Sequence, residues 1–134
     1  MIILTGTLLL VVCLIAGFWV VIAHEHGPTV ADVVVGYELA RSRDDWSTVF
    51  DLSGVELRGE FDRAHFLAAQ PARRARRAAG SAPTVVIESE TVTTDGALVV
   101  ARVETLESTQ RHALQCERRH GRWVVIADVP ATAR

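Results

Sequence analysis

Lysine is absent: all 14 basic residues of this 134-residue chain are arginine, a skew that physical chemistry does not demand and that fits high-GC coding. Cysteine is nearly as scarce. Cys13 falls in an apolar run and Cys116 in the charged remainder, so no disulfide framework is expected. A strong charge imbalance is missing too. Sixteen acidic residues against 14 arginines leave a net charge of −2, which excludes a nucleic-acid binder built on bulk electrostatics. No charged residue or histidine stands before His24, and no arginine before Arg41. The second absence removes the basic n-region of a cleaved signal peptide. No small-x-small cleavage pattern ends the run, and Cys13 follows Val11-Val12 rather than the Gly or Ala of a lipoprotein signal. Internal repeats and long low-complexity segments are also lacking.

The apolar run itself covers residues 2–23, rich in Leu, Val and Ile, and as a helix would extend roughly 33 Å. That length matches the hydrocarbon core of a bilayer. Only Thr5 and Thr7 interrupt its apolar surface, and both can bond back to their own helix, whereas a buried helix of a soluble protein usually keeps a polar stripe. The expected organisation is a transmembrane anchor at 1–23, a juxtamembrane linker at 24–29, one soluble α+β domain at 30–130 and a short tail at 131–134. Glu25 and Asp32 flank the anchor with no arginine beside them, so the domain is expected on the extracytoplasmic side of a cell membrane.

His24-Glu25-His26-Gly27-Pro28 ends the apolar run, and Thr29 is a fair N-cap. Val30, Val33, Val34 and Tyr37 then recur at three- and four-residue steps, which predicts an amphipathic helix to about Arg43. Asp44 or Asp45 opens a second helical piece with Trp46 and Phe50 one turn apart. Ser53-Gly54 breaks it, Val55, Leu57 and Phe61 follow, and Asp62 caps a short helix carrying Phe66 and Leu67 that Pro71 bends or ends. Beyond Pro83 the period becomes alternating. Strands are expected at 84–93, 97–107, 110–118 and 122–129, joined at Asp95-Gly96, Ser108-Thr109 and His120-Gly121. Leu114 and Cys116 alternate with charged or amide residues, and Trp123, Val125, Ala127 and Val129 are expected to line one side. The fold class is therefore an N-terminal transmembrane helix followed by helices packed on a curved antiparallel four-stranded sheet.

This order, together with Tyr37-Glu38-Leu39-Ala40, Asp45-Trp46, Phe50-Asp51-Leu52, Glu56-Leu57-Arg58, Phe61 and Phe66, resembles the opening of small membrane-anchored or secreted members of the nuclear-transport-factor-2-like (cystatin-like cone) superfamily. The resemblance covers residues 30–129, almost the whole soluble part, and rests on packing residues. It implies a cone-shaped domain, but not one activity, since the superfamily holds isomerases and dehydratases beside binding and assembly domains. No residue matches the catalytic Tyr and Asp pattern of the enzymes, because Tyr37 falls on the apolar face of the first helix, and no catalytic residue is assigned.

Other groups admit two readings each. His24-Glu25-His26 has the spacing to share a metal ion when extended, but no third ligand is near in sequence, so headgroup-zone residues are the simpler reading and no metal site or cofactor is expected. Arg73, Arg74, Arg76 and Arg77 could grip anionic lipid or an acidic partner, or form a solvated helix face. His65, His112, Asp51, Glu88, Glu104 and Asp128 are the groups available for acid–base work, with Glu104 and His112 expected to pair across one hairpin. Trp46 and Trp123 belong to the core or line a ligand pocket, and Cys116 reads as a buried small hydrophobe. The expected function is a single-pass, membrane-anchored binding or assembly domain accessory to an envelope complex. Its partners would be the lipid bilayer and a membrane or envelope protein, with no nucleic acid and with an apolar small ligand as the remaining candidate. The alternative is a membrane-tethered enzyme of the isomerase or dehydratase kind.

Overall fold

The computed structural model describes residues 27–70 and 82–131, together with Cys13. The anchor expected at 2–23, His24-Glu25-His26 and the arginines Arg73, Arg74, Arg76 and Arg77 lie outside the described residues, apart from Cys13 itself. Among the described residues no helix is long and apolar enough to cross a membrane.

Helix α1, Val30–Ser42, starts at a capping box: the Thr29 hydroxyl accepts from the Asp32 amide, and the Asp32 carboxylate accepts from the Thr29 amide at 3.0 Å. Asp44 at φ 56° turns the chain, and Asp45 caps α2, Trp46–Leu52, by accepting from the Thr48 amide. Helix α3, Val55–Arg58, is a single turn closed by Gly59 at φ 70°, a left-handed conformation that glycine adopts without steric cost. Asp62 caps α4, Arg63–Ala69. The strands β1, Thr84–Val92, β2, Gly96–Glu104, β3, Thr109–Arg119, and β4, Arg122–Pro130, form one antiparallel sheet in the order β1-β2-β3-β4. His120 and Gly121, both at positive φ, make the tight reversal from β3 to β4.

The helices cover one face of the sheet. Val30, Val33, Val34 and Tyr37 of α1, with Val49 and Phe66, bury against Val99, Ala101, Leu114, Cys116 and Val125. Fully enclosed Val34, Val99, Leu114 and Val125 each contribute roughly 1.5–3 kcal/mol of burial. The sheet curves around α1, which packs against β1, β2 and β4. Trp46, Phe50 and Trp123 are half-buried at the margin of this core, Phe50 tilted on Phe66 at 5.3 Å and under the Arg58 guanidinium at 4.6 Å.

Two bulges break the alternation. In β1, Ile87 pairs with Ala101 and Ser89 with Val100, so Glu88 has no partner on β2. In β4, Val125 pairs with Cys116 but Ala127 with Gln115, so Ile126 is the extra residue. The second bulge overturns part of the expected strand phase. Trp123 and Val125 face the helices, but Ala127 and Val129 turn to the outer face, and Asp128 turns in beside Leu114. Ser53 and Gly54 run along β4 at this point, the Gly54 amide donating to the Val125 carbonyl at 2.7 Å. Gly54 is needed there because a Cβ would meet Ile126 Cγ2 at 2.9 Å and the Glu56 carboxylate at 2.6 Å.

Candidate functional site

The inner face is not wholly apolar. Glu38 follows Val34 by four residues on α1, which places it on the buried stripe, 2% exposed. His112 precedes Leu114 and Cys116 on the same face of β3 and is also buried. The two side chains meet with His112 Nδ1 2.9 Å from Glu38 Oε1. Asp128, turned inward by the bulge, brings Oδ1 to 3.6 Å from the same nitrogen. Its other oxygen, Oδ2, accepts from Arg41, one turn beyond Tyr37 on α1. Arg41 is the exposed member of this chain of contacts, while the Asp128 carboxylate is almost fully covered.

This arrangement departs from the hairpin pair expected between Glu104 and His112. Glu104 lies opposite Thr109 and faces outward, where it meets Arg102 at 2.8 Å, whereas His112 lies opposite Ala101 and faces α1. The reason is parity: the two residues sit at alternate positions of the paired strands and so project to opposite faces. The inner lining can therefore hold and exchange protons at Glu38, His112 and Asp128, beside the expected apolar Leu114, Cys116, Trp123 and Val125.

Burial governs the electrostatics. Loss of solvent raises the Glu38 carboxyl above its ordinary value, against the lowering effect of its hydrogen bond to His112. Desolvation, then the charge of Asp128, pushes the Tyr37 phenol up to about 12. Desolvation likewise pushes the Cys116 thiol up to about 11, which makes it an inert small hydrophobe rather than a nucleophile. Two carboxylates and one guanidinium alone would leave a single negative charge in the network, which the proton shared by Glu38 and His112 or a cation in its place balances. Such a group of side chains can share a proton or hold a metal ion.

The outer face offers a different kind of site. Leu98 and Val100 of β2, Ala113 of β3, and Ala127 and Val129 of β4 are neighbours around Gln115. Leu98 and Val129 remain 51% and 57% exposed. Charged groups bound this patch on two sides. The bulged Glu88 bridges Arg102 at 3.4 Å and Arg111 at 2.6 Å at one end. At the other, Arg119 joins Glu117 to Glu56 of α3 and holds the Glu56 carboxyl below its usual range. Trp123, a candidate for contact with a partner, sits on the inner side against the core, away from this patch. His65 and Asp51 are surface groups, paired with Asp62 and Arg63 respectively.

No family profile, curated protein or solved structure matches the chain.

Proposed function

We propose that this chain is a membrane-anchored binding or assembly module that docks a protein partner through the outer face of its sheet. The observation that carries this reading is the apolar centre of Leu98, Val100, Ala113, Ala127 and Val129 between charged margins, the anatomy of a protein-binding surface. The apolar run at 2–23 supports a bilayer as the place of action, and the acidic flank of Glu25 and Asp32 supports an extracytoplasmic domain. Replacing Leu98 and Val129 together by Glu tests the docking face. The double variant should keep its circular dichroism and thermal transition yet lose in-cell function and its copurifying membrane partner. Retention of both would sink the proposal. Protease added to intact spheroplasts should digest the domain, and protection until lysis would reverse the orientation.

One observation favours a second reading, a tethered isomerase- or dehydratase-like enzyme: Glu38 and His112 form a hydrogen-bonded acid–base pair on the concave side. Catalysis would require a substrate to reach two side chains that are buried between α1 and the sheet. Glu38→Gln, which keeps the hydrogen-bonding shape and removes the carboxylate, separates the readings. A folded, membrane-bound Glu38→Gln protein that loses function, while the Leu98/Val129 variant retains it, would favour chemistry.

A further inference from the structure

Glu38, His112 and Asp128 come from three different elements, α1, β3 and β4, and one donor atom of each lies within 4.8 Å of the others. We infer that these three side chains form a binding site for one divalent transition-metal ion of the zinc class, which fastens α1 to the two C-terminal strands. This inference is independent of the outer-face reading, since these side chains lie on the opposite side of the sheet from those of Leu98, Val100, Ala113, Ala127 and Val129.

The distances are the first support. A tetrahedral ion with ligands at about 2.0–2.1 Å separates its donors by roughly 3.3–3.4 Å. The His112 nitrogen stands 2.9 Å from Glu38 Oε1 and 3.6 Å from Asp128 Oδ1, on either side of that value, so both contacts of the imidazole are within a few tenths of an ångström of a coordinated spacing. Donor chemistry decides the class of ion. One imidazole with two carboxylates suits zinc and its neighbours, whereas magnesium and calcium prefer oxygen throughout.

Charge sets the mechanism of exchange. With Arg41 in place and the proton between His112 and Glu38 displaced, the network lacks one positive charge, and a divalent ion supplies one too many. Arg41 is the half-exposed partner and Asp128 the buried one, so the guanidinium is the group free to swing into solvent. Its departure releases Asp128 Oδ2 to complete the coordination and leaves the site neutral. Binding then displaces the proton held between His112 and Glu38, because the nitrogen that bonds the ion is the one that now faces the carboxylate.

The test uses the full-length chain, purified without a polyhistidine tag and stripped with chelator, in equilibrium dialysis against Zn²⁺. A single tightly held ion is expected, lost in Asp128→Asn and in His112→Gln and retained when His24 and His26 are both replaced by Ala. No bound zinc in the wild-type chain overturns the inference. So does zinc that survives Asp128→Asn or His112→Gln, or zinc that disappears only with His24 and His26. Should either site variant fail to fold, nitrogen NMR of the wild-type imidazoles decides: saturating Zn²⁺ must move the His112 ring nitrogens, and an unchanged His112 signal overturns the inference.

Discussion

Asp128 faces His112 across β3 and β4, 3.6 Å from its Nδ1, because Ile126 has no partner and reverses the phase of the strand that follows it. A bulge of one residue thus decides whether this end of the sheet is lined by an aliphatic side chain or a carboxylate. The rest of the network is arranged around that choice.

His112→Ala should destabilise the protein by about 1–3 kcal/mol, the range for leaving a buried hydrogen-bonding group unsatisfied, because it strands Glu38 without its partner. Denaturant unfolding of the full chain measures this. Adding Glu38→Gln to the same protein should recover part of the loss, since no carboxylate then remains to be stranded. A double variant whose loss equals the sum of the two single losses would mean that the pair carries no coupling.

The raised carboxyl of Glu38 fixes the sign of one pH effect. Its folded form binds a proton more tightly than the unfolded chain, so its stabilising contribution is complete below the ordinary value of 4.5 and is lost as pH rises from there through the raised value. Over that window the unfolding free energy of the wild type should fall relative to Glu38→Gln. A wild type that instead gains stability on the variant as pH rises would show a depressed carboxyl.

Tyr37 is the chain's one tyrosine, so phenolate absorbance reports it alone. Ionisation should be centred near 12 rather than 10, and the stability it supports should be lost as pH rises through that interval. A midpoint near 10 in the folded protein would place the phenol in solvent.

Much of the backbone was legible because its signals are local. Thr29, Asp45 and Asp62 cap the helices they precede, and Asp95-Gly96 and His120-Gly121 mark reversals wherever they occur. Two members of the inner network also carried a signal: Glu38 continues the spacing of Val30 and Val34, and His112 alternates with Leu114 and Cys116. Asp128 carried none. Simple alternation from Trp123 puts it outside, and the bulge that brings it in depends on how Ser53 and Gly54 lie along β4, a contact between distant segments. The outer patch was hidden for the same reason, since Ala127 and Val129 join it only through that change of phase.

Deleting Ile126 should be tolerated. The shortened strand keeps Val125 opposite Cys116 and Ala127 opposite Gln115, and plain alternation then points Asp128 inward. A folded protein that has lost about 1–3 kcal/mol of stability is expected in denaturant unfolding. Complete loss of the fold would show that the bulge does more than set phase.

Gly54→Ala should cost about 1–3 kcal/mol, because the new methyl meets Ile126 and the Glu56 carboxylate that Arg119 holds in place. Thermal unfolding reads the effect, and combining the change with deletion of Ile126 should relieve part of it. An unaltered transition in Gly54→Ala would mean that the segment moves aside freely.

The backbone contact of Ser53 and Gly54 with Val125 also bears on how copies of this chain can associate. An added strand cannot lie along the full length of β4, because the middle of that border is already bonded within the molecule. Among the described residues, strand addition along a full border is left to β1, and a body with one joining border can be joined once. Edge-to-edge association therefore ends at a closed pair with a continuous eight-stranded sheet. Among the described residues, growth into fibres has no second full-length border on which to proceed.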